Sequence, residues 1–184
     1  MGETFTKKVK GSMFKEVVKA IKSNKTGAYD DISDEVRNFL SQRILSSAWY
    51  PLSAYKEGLN AIVRVEARNN KESVVKWGKS FCDAMMKTLY KQIISEGNIK
   101  LAMERYKRFH NMIFNFSNME YDFVSDNEII ITYNDSEKDF ENYYYLIKGW
   151  NERFLELCTN KKIKSLFLEK SWVGKKNTKI KISW

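Results

Sequence analysis

Apolar residues recur every three or four positions through the first two-thirds of the chain, which is the spacing of amphipathic helices. The pattern predicts five of them, over residues 11–24, 33–45, 51–67, 71–95 and 98–114. Ser33 is placed to cap the second helix, and Pro51 fits the first turn of the third, where its missing N–H costs nothing. Gly97 separates the last two helices.

The period changes near residue 119. Residues 119–135 hold two β-rich runs around turn residues at 125–127, which indicates a hairpin, and residues 139–158 return to helical spacing. A second hairpin closes the chain, and its last strand alternates Ile180, Ile182 and Trp184 with Lys179, Lys181 and Ser183.

The order of elements is therefore five helices followed by ββαββ, which predicts an α+β fold. We expect a single domain over residues 1–184, with a helical N-terminal lobe at about 8–115 packed on a four-stranded antiparallel sheet. The sheet-containing lobe would cover about 116–184. A cleft between the lobes would be lined from the helical side by residues 74–93 and 99–114.

Composition narrows the class of protein. Hydrophobic residues make up 43% of the 184 positions and aromatic residues 14%, with one proline, which suits a folded core. No apolar run approaches the roughly 18 residues of a membrane span, and the N-terminal segment lacks the apolar core of a signal peptide. We expect a cytoplasmic protein in which Cys82 and Cys158 are buried free thiols.

The net charge of +9 is unevenly placed, because residues 159–184 carry eight lysines and one acid. Such a basic tail can be an electrostatic footprint for nucleic acid or anionic lipid. It can also be a solvated lysine edge that prevents a terminal strand from pairing with other molecules. The absence of arginine from the tail favours the second interpretation, since base recognition usually employs arginine.

Three short segments, in their order and spacing, resemble the H-NOX (heme nitric oxide/oxygen) domain of bacterial sensory proteins: VKGS at 9–12, VKWGK at 75–79 and NYYYLIKG at 142–149. The resemblance covers about residues 8–184. The stretch WYPLSAY at 49–55 and the closing Trp184 are more similar to an uncharacterised myxobacterial relative of that domain, and the four-vinyl-reductase sensory domain is a further relative.

The H-NOX resemblance implies heme b as the candidate cofactor. In heme-binding members a histidine on the helix after the glycine-basic segment ligates iron, and His110 stands at the corresponding place. His110 is the only histidine of the chain, so a site with several histidines is excluded. On a helical wheel it falls with Ile99, Met103, Tyr106 and Ile113, facing inward. The alternative is a core histidine that hydrogen-bonds a carbonyl group.

The family's Tyr-x-Ser-x-Arg motif, which holds the heme propionates, is altered in this chain. Without a gap, Asp135 and Glu137 would take the serine and arginine positions and repel propionates. With one inserted residue the motif becomes Tyr133, Ser136 and Lys138, in which lysine lacks the planar fork that suits a carboxylate.

The leading hypothesis is a non-enzymatic sensory or ligand-binding module of H-NOX-like fold that does not use heme, because the propionate motif is damaged. Its cleft would take an apolar small molecule or a protein partner, and its output would be contact with a separate signalling protein. No acid–base constellation predicts a catalytic residue. The expected ligand-lining residues are Met85, Leu89, Met103, Tyr106, Ile113 and Tyr144.

Two alternatives remain. The first is a stand-alone heme-based nitric oxide sensor with His110 on the iron and Tyr133, Ser136 and Lys138 on the propionates. The second, less favoured, is a nucleic-acid-binding protein that uses the lysine-rich C-terminal hairpin.

Overall fold

The computed structural model describes residues 6–24, 28–87, 91–135, 137 and 139–184. It confirms the α+β class and the five helices followed by ββαββ, and it adds two three-residue strands among the first three helices. The helices are α1 (Gly11–Ser23), α2 (Asp34–Ser41), α3 (Leu52–Glu66), α4 (Lys71–Lys87), α5 (Ile99–Ile113) and α6 (Glu141–Thr159). The strands are β1 (Lys8–Lys10), β2 (Trp49–Pro51), β3 (Met119–Ser125), β4 (Glu128–Tyr133), β5 (Lys164–Glu169) and β6 (Thr178–Ser183).

The short antiparallel pair β1–β2 was not predicted, because strands of three residues are too short to show alternation. None of the helices in the described ranges is both long enough and apolar enough to cross a membrane.

The chain divides into two compact units, residues 1–70 with 112–116 and residues 71–111 with 117–184. The expected lobe boundary near residue 115 differs from this division. Helix α4 and most of α5 belong to the sheet-containing unit, because α4 packs along α6.

In the first unit, α1 buries Met13, Phe14, Val17, Val18 and Ile21. Helix α3 passes close to α1 at Gly58, where an added Cβ would lie 2.5 Å from the Val17 side chain. The Ser33 side chain accepts a hydrogen bond from the Val36 amide, which confirms the predicted cap of α2. Pro51 stands at the N-cap of α3, one position before the expected first turn.

In the second unit, α4 and α6 approach each other at two glycines. A Cβ on Gly78 would lie 2.0 Å from the Leu146 carbonyl oxygen, and one on Gly149 would lie 1.9 Å from that of Val75. Only glycine allows this backbone-to-backbone contact.

This close approach determines which side of α4 is buried. The buried residues of α4 are Val74, Gly78, Cys82 and Met86. The predicted inward position of Met85 is therefore corrected to a half-buried one. The helix predicted to reach residue 95 is described to Lys87, and a 3₁₀ turn follows at Lys91–Ile93. Cys82 and Cys158 are buried free thiols, as expected.

The sheet is antiparallel with the order β3-β4-β6-β5. Its inner face buries Met119, Ile129, Ile131, Tyr133, Thr178, Ile180 and Ile182. Strand β6 lies between β4 and β5, so its lysines do not guard an edge. The edge-strand interpretation of Lys179 and Lys181 is thus wrong, and the two edges are β3 and β5.

Candidate functional site

His110 lies on α5 and is completely buried, which confirms its predicted inward orientation. Burial lowers the pKa of its imidazole from 6.5 to about 3, so the ring is neutral at pH 7. Its Nε2 lies 2.9 Å from the hydroxyl oxygen of Ser117, in the segment just before β3.

The Ser117 hydroxyl also bonds the buried carboxyl group of Asp135. It donates a hydrogen bond to Asp135 at 3.2 Å, and the Tyr144 hydroxyl donates to the other oxygen of Asp135. Because the single O–H of Ser117 is directed at Asp135, the hydrogen-bond pattern assigns the proton of the neutral His110 ring to Nε2, which donates to Ser117. Burial raises the pKa of Asp135, and hydrogen bonds from Tyr144 and Ser117 act in the opposite direction.

Tyr133 belongs to a second buried cluster, with Tyr106 of α5 and Asn151 of α6. The Asn151 amide nitrogen lies 2.9 Å from the Tyr133 hydroxyl oxygen, and the Tyr106 hydroxyl donates to the Asn151 carbonyl oxygen at 2.6 Å. All three side chains are at most 1% exposed. An asparagine on the buried side of α6 thus ties the sheet to α5.

Aromatic rings fill the space around both clusters. The His110 and Tyr133 ring centroids are 5.2 Å apart, and Tyr106 lies 4.9 Å from Phe154. On the other side, Tyr144 stacks on Trp172 at 5.2 Å. The inner face of the sheet is therefore closed by direct side-chain packing.

Three contacts of the described residues bear on whether a heme fits. Nε2 of His110 is engaged by the Ser117 hydroxyl at 2.9 Å, so this nitrogen would have to give up that contact to bind an iron. The Tyr133 ring packs beside the imidazole, and its hydroxyl bonds Asn151. Asp135, at the position of the motif's serine in the ungapped alignment, is a buried acid that would repel a propionate. Ser136 and Lys138, the other expected propionate contacts, lie outside the described residues.

Ser117, His110 and Asp135 do not form a catalytic triad. A triad needs the histidine between the serine and the acid, so that the imidazole takes the serine proton. Here the serine lies between the other two, and all three are buried. The arrangement is a buried hydrogen-bond chain that fixes side-chain positions.

The structure brings only some of the expected ligand-lining residues together. Met103, Tyr106 and Tyr144 lie in the packed core of the second unit, whereas Ile113 is buried in the first unit. Met85 is half-buried, and Leu89 lies outside the described residues.

A cavity of about 440 Å³ lies on the other side of α5, as an open surface groove. Its lining residues are Glu104, Lys107, Arg108, Asn111, Glu120 and Tyr121. Within the described ranges, no three His, Cys, Asp or Glu side chains group as metal ligands do.

Ser117 and Asn151 were missed as site residues, and Asp135 was named only as the residue at the serine position of the altered motif. Asp135 stands two positions after Tyr133, and this spacing along an extended segment could have placed both on the same face. Asn151 falls in the apolar stripe of α6 between Ile147 and Phe154, which is a signal for a buried polar contact. Ser117 gave no signal, because its role depends on a partner from another element.

Comparisons with known proteins gave matches among solved structures alone. No protein-family model and no curated protein matched the chain. A single-substitution mutant of T. tengcongensis H-NOX is 14% identical, with a TM-score of 0.64, over 95% of this chain and 96% of that one. An oxygen-binding H-NOX domain related to soluble guanylate cyclases is 13% identical, with a TM-score of 0.62, over 95% and 94%.

An unliganded Fe(II) H-NOX mutant from K. algicida is 14% identical, with a TM-score of 0.57, over 95% of both chains. The likeness extends over nearly the whole chain, in agreement with the resemblance seen in the sequence. The similarity to the myxobacterial and four-vinyl-reductase relatives stays a prediction. This chain has the H-NOX fold.

Proposed function

We propose that this protein is a non-enzymatic sensory module that has kept the H-NOX fold and works without heme. Its output is non-covalent contact with a separate signalling protein. The observation that carries the proposal is the hydrogen-bond chain His110–Ser117–Asp135–Tyr144, which uses the histidine for internal structure.

The proposal that the module is not an enzyme is supported by the burial of its candidate proton-transfer groups. The histidine, serine and acid that could exchange protons are enclosed in the core, and general acid–base catalysis requires contact with a substrate. A fold shared with sensors is a weak guide to function by itself; the contacts of His110 are what make the proposal specific. Cytoplasmic location remains part of the proposal.

The sequence analysis expected the cleft to take either an apolar small molecule or a protein partner, and the protein partner is favoured. Met103, Tyr106 and Tyr144, which were to line the pocket, are at most 1% exposed. A ligand in their place would have to displace packed aromatic rings, and creating such a space costs several kcal/mol. A surface contact requires no such opening.

Heme reconstitution tests the proposal. Purified protein is mixed with an equimolar amount of ferrous heme, alongside an authentic H-NOX domain as positive control, and absorbance is recorded before and after gel filtration. We expect a Soret band that stays with the control domain and is lost from this protein. The His110→Ala variant should give the same spectrum as the wild type.

One observation favours the heme-based gas sensor as a second candidate. A wholly buried imidazole with a lowered pKa is neutral, as an iron ligand must be. For that function the Ser117 contact would have to break when heme binds. A stoichiometric Soret band that disappears in His110→Ala would establish it and overturn the heme-free proposal.

A further inference from the structure

Strand β3 is an edge of the sheet whose main chain is open on one side. Among the described residues, β4 is its one neighbouring strand. The Asn134 amide donates to the Asn118 carbonyl oxygen at 2.9 Å, and this pair continues the register of Tyr121 with Ile131. Hydrogen-bonded and non-hydrogen-bonded pairs alternate along an antiparallel ladder. Tyr121 and Phe123 therefore belong to pairs without mutual hydrogen bonds, and their N–H and C=O groups point away from β4.

A contact with α5 supports this alternation. Met119, two residues before Tyr121, directs its N–H away from β4 and donates to the side-chain oxygen of Asn111 at 3.3 Å. Within the described part of the chain, no hydrogen bond reaches the main-chain groups of Tyr121 and Phe123. Edge strands are usually blocked by lysine, proline or a bulge. Strand β3 contains neither lysine nor proline, and its register is regular as far as Phe123.

The surface groove of about 440 Å³ lies along this edge, because β3 supplies Glu120 and Tyr121 to its wall and α5 supplies the rest. A further strand of the sheet would lie about 4.8 Å beyond β3, beside the wall formed by α5. The Lys107 ammonium meets the Glu120 carboxylate here, with side chains 34% and 44% exposed. Exposed ion pairs contribute little stability, so an incoming strand can displace this one.

The charges of the edge determine which strand it would accept. Glu120 and Asp122 project from the same side of β3, because residues two apart along a strand share a face, and Asp122 is exposed. A second copy of β3, paired antiparallel and centred on residue 120, 121 or 122, would place one of these acids opposite another, which is repulsive. A strand of another protein with lysine or arginine at alternate positions is complementary instead.

We propose that the β3 edge, over residues 119–123, is the docking site for an extended segment of the partner protein. The segment adds to the sheet as an antiparallel fifth strand, with basic residues opposite Glu120 and Asp122. Its residues opposite Tyr121 and Phe123 exchange main-chain hydrogen bonds with them, as in other strand-addition complexes. The inference rests on the proposed function, because it gives the separate signalling protein a place and a mode of binding.

Amide hydrogen exchange, followed residue by residue by NMR, tests the inference on the full chain. In the protein alone, the N–H groups of Tyr121 and Phe123 should exchange faster than those of Glu120 and Asp122, which bond β4. The probe is the peptide Thr-Lys-Val-Lys-Val-Lys-Thr, capped at both ends and added to about 2 mM, since four main-chain bonds support only a weak complex. It should slow exchange at Tyr121 and Phe123 by about threefold.

Two matched pairs separate strand addition from attraction between charges. N-methyl groups on the two valines of the peptide remove the N–H groups that bond β3 and should abolish the protection, whereas one on the central lysine, whose N–H points away, should not. Tyr121→Pro should lose peptide binding, and Tyr121→Ala, which keeps the N–H, should retain it; an edge strand tolerates proline where the N–H faces outward. Asp122→Lys should weaken binding about fivefold.

The outcomes distinguish this inference from the proposed function. Tyr121 and Phe123 amides that stay unprotected in the presence of the peptide overturn the inference, and so does equal protection by the peptide methylated at its valines. Protection that rises with protein concentration in the absence of peptide also overturns it, because a second copy then occupies the edge. A stoichiometric Soret band on heme reconstitution overturns the heme-free function instead, whatever the exchange rates of these amides.

Discussion

The two faces of the β3-β4-β6-β5 sheet are made by the same strands, yet they are used in opposite ways. On the inner face Ile129, Ile131 and Tyr133 are fully buried, and polar groups bond one another across elements. On the outer face Ile130 and Leu166 lie in the same register but remain partly or largely exposed. The inner face is filled by side chains of the chain itself, whereas the outer face leaves apolar side chains exposed.

The largest difference between the faces should appear when Tyr133 is truncated. Tyr133→Ala removes a buried ring and leaves Asn151 without its bond to the hydroxyl, so we expect a loss of about 3–5 kcal/mol in the free energy of unfolding. Urea unfolding measures it. Thr132→Ala, the neighbouring outer-face position, is the control and should lose less than about 1 kcal/mol. Equal losses would contradict the contrast between the faces.

The inner face should also make the protein sensitive to acid. The pKa of His110 is lowered from 6.5 to about 3 in the folded state. Below pH 6.5 the unfolded chain therefore binds a proton that the folded chain does not bind. Stability contributed by the neutral imidazole is present above pH 6.5 and is lost as pH falls towards 3, at roughly 1.4 kcal/mol per pH unit. The raised pKa of Asp135 has the opposite sign, since its contribution is present at low pH and lost as pH rises.

Comparing the wild type with His110→Gln isolates this effect. Glutamine can still donate to Ser117 but does not titrate in this range. Urea unfolding at several pH values between about 4 and 7 should give a smaller loss of stability on acidification for His110→Gln than for the wild type. Parallel curves for the two proteins would show that the imidazole is not buried neutral.

A smaller effect is expected from removing the Tyr133 hydroxyl alone. Tyr133→Phe keeps the ring but removes the oxygen that meets Asn151 at 2.9 Å, and an unmet buried amide costs about 1–3 kcal/mol. Tyr121→Phe, on the half-buried edge strand β3, is the matched control and should change stability little. Thermal or urea unfolding of both variants makes the comparison, and a tolerated Tyr133→Phe would show that Asn151 does not depend on it.

The smallest effect belongs to the outer face. Leu166→Ser replaces a side chain that is 50% exposed, and substitutions at such positions usually stay within about 0.5 kcal/mol. Urea unfolding at low micromolar protein measures it. A loss comparable to that of Tyr133→Ala would mean that Leu166 belongs to the core.

Periodicity predicted the order of the main helices and strands, but not the partners of the residues at the site. The order of elements and the inward position of His110 follow from local spacing, which depends on residues near in sequence. The buried stripe of α4 was misplaced, because the contact of Gly78 with α6 decides it and joins residues about 70 positions apart.

The site, too, depends on contacts between residues that are far apart in the sequence. The partners of His110 come from the segment before β3 and from the end of β4, so a wheel drawn for α5 alone could show its burial but not its hydrogen bonds. The altered propionate motif nevertheless pointed to Asp135, as a group that does not suit heme. Its bonds to Ser117 and Tyr144 emerged only when the elements were assembled.

The heme-free proposal requires His110 to be held by a hydrogen bond rather than to be available to iron, and its imidazole can be observed directly. Because the chain has one histidine, a ¹⁵N-edited NMR spectrum of the labelled ring gives unambiguous signals, recorded from pH 7 to about pH 4 and again with equimolar heme. We predict one neutral ring protonated at Nε2 throughout, unchanged by heme. A ring that charges near its ordinary pKa, or an Nε2 signal that heme displaces or broadens, would contradict it.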